Sequence, residues 1–307
     1  MTKLATTVGI ELTFMPILFD YLMYYNRKYS DSVEKVIPES NSLCRGMASA
    51  LEFSLRARKI PFNKCHKDPD CVEVSTKPYI TTNALFRTID KIWKCAADHD
   101  LLPTSKYYNG GGAHIHVGVI GACRASAINF TRRMLIFGAQ NPWLSWAFVG
   151  ETDDCNAEPL TLGIITDRDE THNQKDFKDE GYFSLEEIYS LFNIKDYILR
   201  STHYGEQGTV EFRAFEMPEL QVTLHKYVYL VDSIVKHVSG QTYTQLRKCD
   251  IPTKADIERM PYSKRKAGFH GMLRMLGFDP SDWREETVHM AVSLRHRRQP
   301  EDDVEVS

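Results

Sequence analysis

Gly110-Gly-Gly-Ala-His114-Ile-His116-Val-Gly118 is the stretch that decides how this chain is read. Alternate side chains of a strand share a face. His114 and His116 therefore stand together, while Ala113, Ile115, Val117 and Val119 form the opposite, core-seeking row. The preceding glycines let the backbone approach another group closely. Two imidazoles on one strand face suit a metal ion, a phosphate or both. Taken alone, His-x-His equally fits ordinary polar side chains on a half-exposed strand, so its meaning depends on what the other strands carry.

Three other segments repeat the design. From Thr6 to Phe14, Val8, Ile10, Leu12 and Phe14 alternate with Gly9, Glu11 and Thr13, which predicts a strand with Glu11 opposite an apolar row. Asp68 to Pro78 reads as a turn feeding a short strand, with Val72 and Val74 on one side, Glu73 and Ser75 on the other, and Pro78 closing it. From Thr209 to Phe215, Val210, Phe212 and Ala214 oppose Glu211 and Arg213. If these strands share a sheet, their polar faces converge. Three carboxylates and a histidine form a hard, oxygen-rich set suited to magnesium or manganese. Arg213 and His116 are then left to hold anionic oxygens. Such a set serves phosphoryl transfer from a nucleotide, which depends on positioning and charge neutralisation. Each member also has a plainer reading: Glu11 as an exposed strand residue, Glu73 as a solvated group beside a turn, and Glu211–Arg213 as an ion pair worth under about 1 kcal/mol.

Helices are predicted over 42–59 with Ser42 as cap, over 82–98, and over 126–140 with Arg132 and Arg133 on a solvated face. Further helices are expected over 184–192, from Pro218 to Val238 closed by Gly240, and over 254–259, 262–276 and 281–297. Asn141 to Phe148 is aromatic and reads as packed, whereas 150–181 is polar and reads as a loop over a site.

The 307 residues, 42% hydrophobic and 26% charged, suffice for one large domain or two smaller ones. A net charge of -3 gives no indication of a nucleic-acid surface. No apolar run is long enough to span a membrane, and Met1-Thr-Lys-Leu-Ala leads into a strand rather than a secretory signal. The seven cysteines are odd in number and scattered. A reduced, cytoplasmic protein is the expectation.

Gly9-Ile-Glu11-Leu-Thr13-Phe, Glu73-Val-Ser75, Gly112-Ala-His114-Ile-His116-Val-Gly and Val210-Glu211-Phe-Arg213-Ala-Phe occur in the order seen in the amidoligase family. The chain resembles that family, which is related to glutamine synthetase and glutamate–cysteine ligase and is found in phages and bacteria. The resemblance covers roughly residues 6 to 240. It implies an α+β fold: an antiparallel, partly closed sheet, the glutamine-synthetase-like catalytic barrel, with helices outside. It implies ATP, Mg2+ (or Mn2+), and carboxylate and amine substrates joined as an amide or isopeptide through an acyl phosphate. By position, Glu11, His114 and Glu211 match ligands of the metal bridging the ATP phosphates, and Glu73 a ligand of a second metal. His116 and Arg213 match phosphate binders, and Arg200 an upstream family arginine. Glu73, Arg213 and His116 are the residues expected at the reacting groups.

Two departures stand out. The family's first strand carries Glu-x-Glu, but here the second position is Thr13, which weakens a second metal site unless Asp68 or Asp70 completes it. Lys77 stands where the family has an apolar residue or proline. The expected organisation is a catalytic domain over 1–240, a helical extension over 241–300 and an acidic tail over 301–307. The alternatives are a ligase-derived binding or structural protein with a degenerate nucleotide site, and a cupin-like metal enzyme. The latter wants a glutamate shortly after the histidines, and Val117 to Cys123 has none. Neither substrate nor the oligomeric state is indicated.

Overall fold

The computed structural model describes residues 3–17, 37–68, 71–103, 112–118, 130, 133–134, 136–138, 140–148, 192–194, 209–212, 215, 217–242, 245, 256 and 259–287. In chain order the elements are β1 (Lys3–Pro16), α1 (Ile37–Ala57), β2 (Lys64–Asp68), β3 (Cys71–Ser75), β4 (Tyr79–Thr81), α2 (Thr82–Ala97), β5 (Leu101–Pro103) and β6 (His114–Gly118). There follow α3 (Trp143–Phe148), β7 (Phe192–Ile194), β8 (Thr209–Phe212), α4 (Gln221–Ser239), α5 (Tyr262–Met275) and a 3-10 turn at Pro280–Trp283. Two compact units form: Met1–Val119 with Thr209–Lys236, and Ile120–Gly208 with His237–Ser307.

The first unit is built on β1. Its strand order is β2-β3-β1-β6-β8, and β4 and β5 also pair with β1. Every pairing in it is antiparallel, and among the described residues the path from β2 to β8 is open. Val8, Ile10, Leu12 and Phe14 of β1, Val72 and Val74 of β3, and Ile115 and Val117 of β6 are all at most 1% exposed. This is the apolar row that the alternation requires, and removing it from water is the main stabilisation of the sheet. The row is covered by helices whose own apolar residues recur at helical spacing. Cys44, Ala48, Leu51 and Leu55 of α1 and Leu85, Ile89, Ile92 and Ala96 of α2 are buried. Cys65 of β2 reaches Ala48 O of α1 at 3.4 Å, and Phe14 meets the Trp93 ring edge-on with centroids 5.7 Å apart. In α4, buried Asp232 accepts the Ala5 N–H at 2.6 Å and takes Lys236 as an ion-pair partner one turn on. This ties the helix to the start of β1.

At two points the sheet is held by close backbone approach. A Cβ on Gly118 would lie 2.3 Å from Thr7 Oγ1, and Thr6 Oγ1 donates to Gly118 O at 2.8 Å. A Cβ on Gly112 would lie 3.0 Å from Phe215 O and 3.3 Å from His114 Nε2. A side chain at 118 would therefore force Thr7 to shift, and one at 112 would need Phe215 O or the His114 ring to give by a few tenths of an ångström.

In the second unit, Phe148, Phe269 and Trp283 form an edge-to-face aromatic cluster. The Trp143 ring occupies the space that a side chain at position 268 would need.

Several expectations are corrected. The first strand begins at Lys3, not Thr6, and ends at Pro16. Helix α1 begins at Ile37, so Ser42 lies inside it and does not cap it. Helix α4 begins at Gln221, three residues after Pro218, and β8 ends at Phe212. Arg133 is not on a solvated face: it is partly buried and donates to Gln241 O and Ser239 O. Strand β2 was not foreseen; only Cys65 in Lys64–Asp68 is apolar, so no hydrophobic alternation marks it. Arg132, Arg200, Arg213, Asp70, Val119, the 150–181 loop, residues 184–191 of the expected 184–192 helix and the 301–307 tail lie outside the described residues, and Phe192, expected to end that helix, begins β7. Cys44, Cys65, Cys71 and Cys95 are buried. Among the described residues, no helix is long and apolar enough to cross a membrane.

Candidate metal and phosphate site

The polar face of the first unit's sheet carries three neighbouring rungs, set by strand register. Glu11 pairs with His114 across β1–β6 and with Ser75 across β1–β3. His116 pairs with Gly9 on one side and Glu211 on the other. Thr13 pairs with Glu73, and Glu73 in turn with His66 of β2. Residues directly opposite one another in an antiparallel pair point the same way, so Glu11, Thr13, His66, Glu73, His114, His116 and Glu211 share one face.

The contacts are short. His114 Nδ1 lies 3.1 Å from Glu11 Oε2 and 3.1 Å from Glu211 Oε1. His116 Nε2 lies 3.1 Å from Glu11 Oε1 and 4.0 Å from Glu211 Oε1. Glu211 is almost wholly buried, at 1% exposure. Two carboxylates thus share one imidazole nitrogen in a poorly solvated place, which calls for positive charge between them. Glu11 shows the balance. Burial raises its carboxyl pKa, but the close contact and charge of His114 and His116 outweigh this and hold it well below the usual carboxylate range.

Glu73 behaves in the opposite way. Burial, then the negative charges of Glu11 and Asp68, push its carboxyl up to about 7, against smaller opposing effects of His114 and Lys64. Its oxygen lies 3.7 Å from His66 Nε2. Burial, and then Lys64, lower the His66 pKa, while Asp68 and Glu11 oppose the shift. The Thr13 hydroxyl, buried, donates to Gly112 O at 3.0 Å.

Ligand atoms of Glu11, His116 and Glu211 all lie within 4.8 Å of one another. Around an octahedral ion with oxygens at about 2.1 Å, ligand atoms stand roughly 3 to 4 Å apart, so small side-chain movements would close this trio on magnesium or manganese. His116 Nε2 is buried and, although near Glu11, meets no well-directed hydrogen bond. An imidazole nitrogen so placed fits a metal or an anionic oxygen. The donor set therefore suits the ion that the sequence implied.

Of the residues singled out from sequence, Glu11, His114, His116 and Glu211 come together. Glu73 stands on the same face but outside the trio, and Arg213 and Arg200 are outside the described residues. His66 was missed. It sits on a polar strand without alternation, and only pairing with β3 brings it to Glu73.

No protein-family model and no curated protein matches the sequence. Solved structures to which the chain is similar include a novel glutamine synthase homolog, at TM-score 0.44 and 9% identity over 98% of this chain and 69% of that one. Another is GmaS without ligand, at TM-score 0.47 and 9% identity over 98% of this chain and 71% of that one. A third is the complex of the prokaryotic ubiquitin-like protein Pup with its ligase PafA, at TM-score 0.34 and 9% identity over 94% and 63%.

Proposed function

We propose that this chain is an ATP-dependent carboxylate–amine ligase, with residues 1–240 as its catalytic region. The observation that supports it most is the meeting of Glu11, His114, His116 and Glu211 from three adjacent strands in one poorly solvated cluster. In the reaction class, a substrate carboxylate oxygen attacks the γ-phosphorus of ATP and ADP leaves. An amine then attacks the acyl-phosphate carbon, phosphate leaves, and the amine gives up a proton as the amide forms.

A divalent ion would supply neutralisation of phosphate charge. Glu11 and Glu211 would hold it, with His114 or His116 as the nitrogen ligand and the other imidazole turned to a phosphate oxygen. Arg213 and Arg200 are assigned to phosphate by the family resemblance. Glu73, with His66 beside it, would hold a second cation nearer the acyl group. The apolar row behind β1 and β6 fixes these side chains on rigid strands, which limits their reorganisation when charge shifts.

Calorimetry with ATP, with and without magnesium, tests the reading on the wild-type chain and on His116→Ala and Glu11→Gln. Magnesium-dependent binding weakened at least about ten-fold in both variants is expected. ATP binding indifferent to magnesium and to both substitutions would sink it.

One observation favours a second reading, a ligase-derived binding protein. Thr13 replaces the family's carboxylate, and its hydroxyl proton is engaged by Gly112 O. ATP binding without ADP release, across carboxylate and amine pairs, would identify that case.

A further inference from the structure

The second unit carries a cavity of about 630 Å³ between α5 and the 3-10 turn, lined by Tyr262, Lys266, His270, Arg274, Pro280 and Arg284 among others. Tyr262, Lys266, His270 and Arg274 follow one another at every fourth position of α5. They therefore form a stripe along one side of the helix with steps of about 6 Å. Arg284 faces the cavity from the segment after the turn. Three cations from two elements thus line one cavity in a protein whose net charge is -3. Among the described residues, none of Lys266, Arg274 and Arg284 takes part in an ion pair. The one carboxylate among the described residues that line the cavity, Asp279, caps the 3-10 turn by accepting the Ser281 N–H at 2.9 Å.

The wall behind the cations is anchored. Thr287 Oγ1 donates to Trp283 O at 2.7 Å, so at its 3.2 Å contact with His270 Nε2 it accepts and the ring donates. The Tyr262 hydroxyl donates to Thr287 O at 3.1 Å. These bonds tie α5 to the segment after the turn, and Lys266, Arg274 and Arg284 beside them are exposed. Phe269 of α5 and Trp283 of the turn are buried, so the packing of the two elements does not depend on those cations.

We infer that this cavity binds a small phosphate-bearing molecule, with Lys266, Arg274 and Arg284 on the phosphate and Tyr262 and Pro280 against its body. The volume is that of small-molecule sites. Phosphate is favoured over a carboxylate because a phosphate monoester carries close to two negative charges and three acceptor oxygens, which matches three cations that form no ion pair among the described residues and the fork geometry of arginine. The inference does not rest on the ligase reading, since no residue of the Glu11 cluster takes part in it.

The test is calorimetric titration of the full chain with inorganic pyrophosphate in EDTA, which removes any metal-dependent binding at the Glu11 cluster. Saturable binding is expected, weakened at least about ten-fold in Lys266→Ala/Arg274→Ala and unchanged in His116→Ala. Both cationic positions are exposed, so the double variant should keep the wild-type unfolding midpoint. Absence of saturable binding, or binding unaffected by the double substitution, overturns the inference. Loss in His116→Ala alone would place pyrophosphate at the other cluster, with the same consequence. Succinate bound as tightly as pyrophosphate would refute the phosphate class.

Discussion

Replacing Glu73 by glutamine should change how stability depends on pH in a direction that the site's geometry fixes. In the unfolded chain a glutamate titrates near 4.5; in the fold this one titrates near 7, because it is buried and faces Glu11 and Asp68. A carboxyl whose pKa is raised by folding favours the folded state while protonated. Its contribution is fully present below about 4.5 and is lost as pH rises through about 7. At 1.36 kcal/mol per unit, the difference amounts to about 3 kcal/mol at most. Solvent screening lowers this, since the side chain is 12% exposed. Glutamine keeps the size and removes the charge. In EDTA, urea unfolding at a series of pH values should therefore show Glu73→Gln gaining about 2–3 kcal/mol on wild type between pH 4.5 and 8. The readout is the difference between the two proteins, because Glu11, His66 and His225 add slopes common to both. Magnesium at pH 8 should stabilise wild type more than the variant if Glu73 holds a cation. A wild-type-minus-variant difference that stays flat from pH 4.5 to 8 would refute the electrostatic account of this site.

The Glu11 carboxylate, held low by His114 and His116, stabilises the fold above its unfolded pKa and stops doing so as pH falls. Glu11→Gln should cost roughly 3 kcal/mol at pH 7 by urea unfolding, with the loss vanishing in acid. Gly118→Ala places a Cβ against Thr7 Oγ1 and should cost about 1–3 kcal/mol; an unchanged midpoint would show that the strand can shift at no cost. Leu51, fully buried between α1 and the sheet, should lose about 2–5 kcal/mol as Leu51→Ala while sparing the second unit, which hydrogen exchange of α5 amides would check.

The cluster was legible because strand alternation is local: with side chains repeating every second residue, apolar Val8, Ile10, Ile115, Val117, Val210 and Phe212 leave Glu11, His114, His116 and Glu211 on the other face wherever the strands go. The helices over α1 and α2 were legible for the same reason, through their fourth-residue spacing. The ends of α2 were legible too, but the start of α1 was not: Ser42 looked like a cap, and caps are decided by weak local hydrogen bonds that packing against the sheet overrides.

By itself, then, the sequence determined which residues could form a polar strand face, the hard-ion character of that set, and the motif order that resembles the amidoligases. Only the tertiary structure decided register. It set Glu11 opposite His114, His116 opposite Glu211 and Glu73 opposite Thr13 and His66, and it lined up three cations of the second unit around one cavity. Register and cavity walls arise from pairings between residues as much as about a hundred positions apart. No local pattern encodes such distances; only the joint burial of every apolar row selects them.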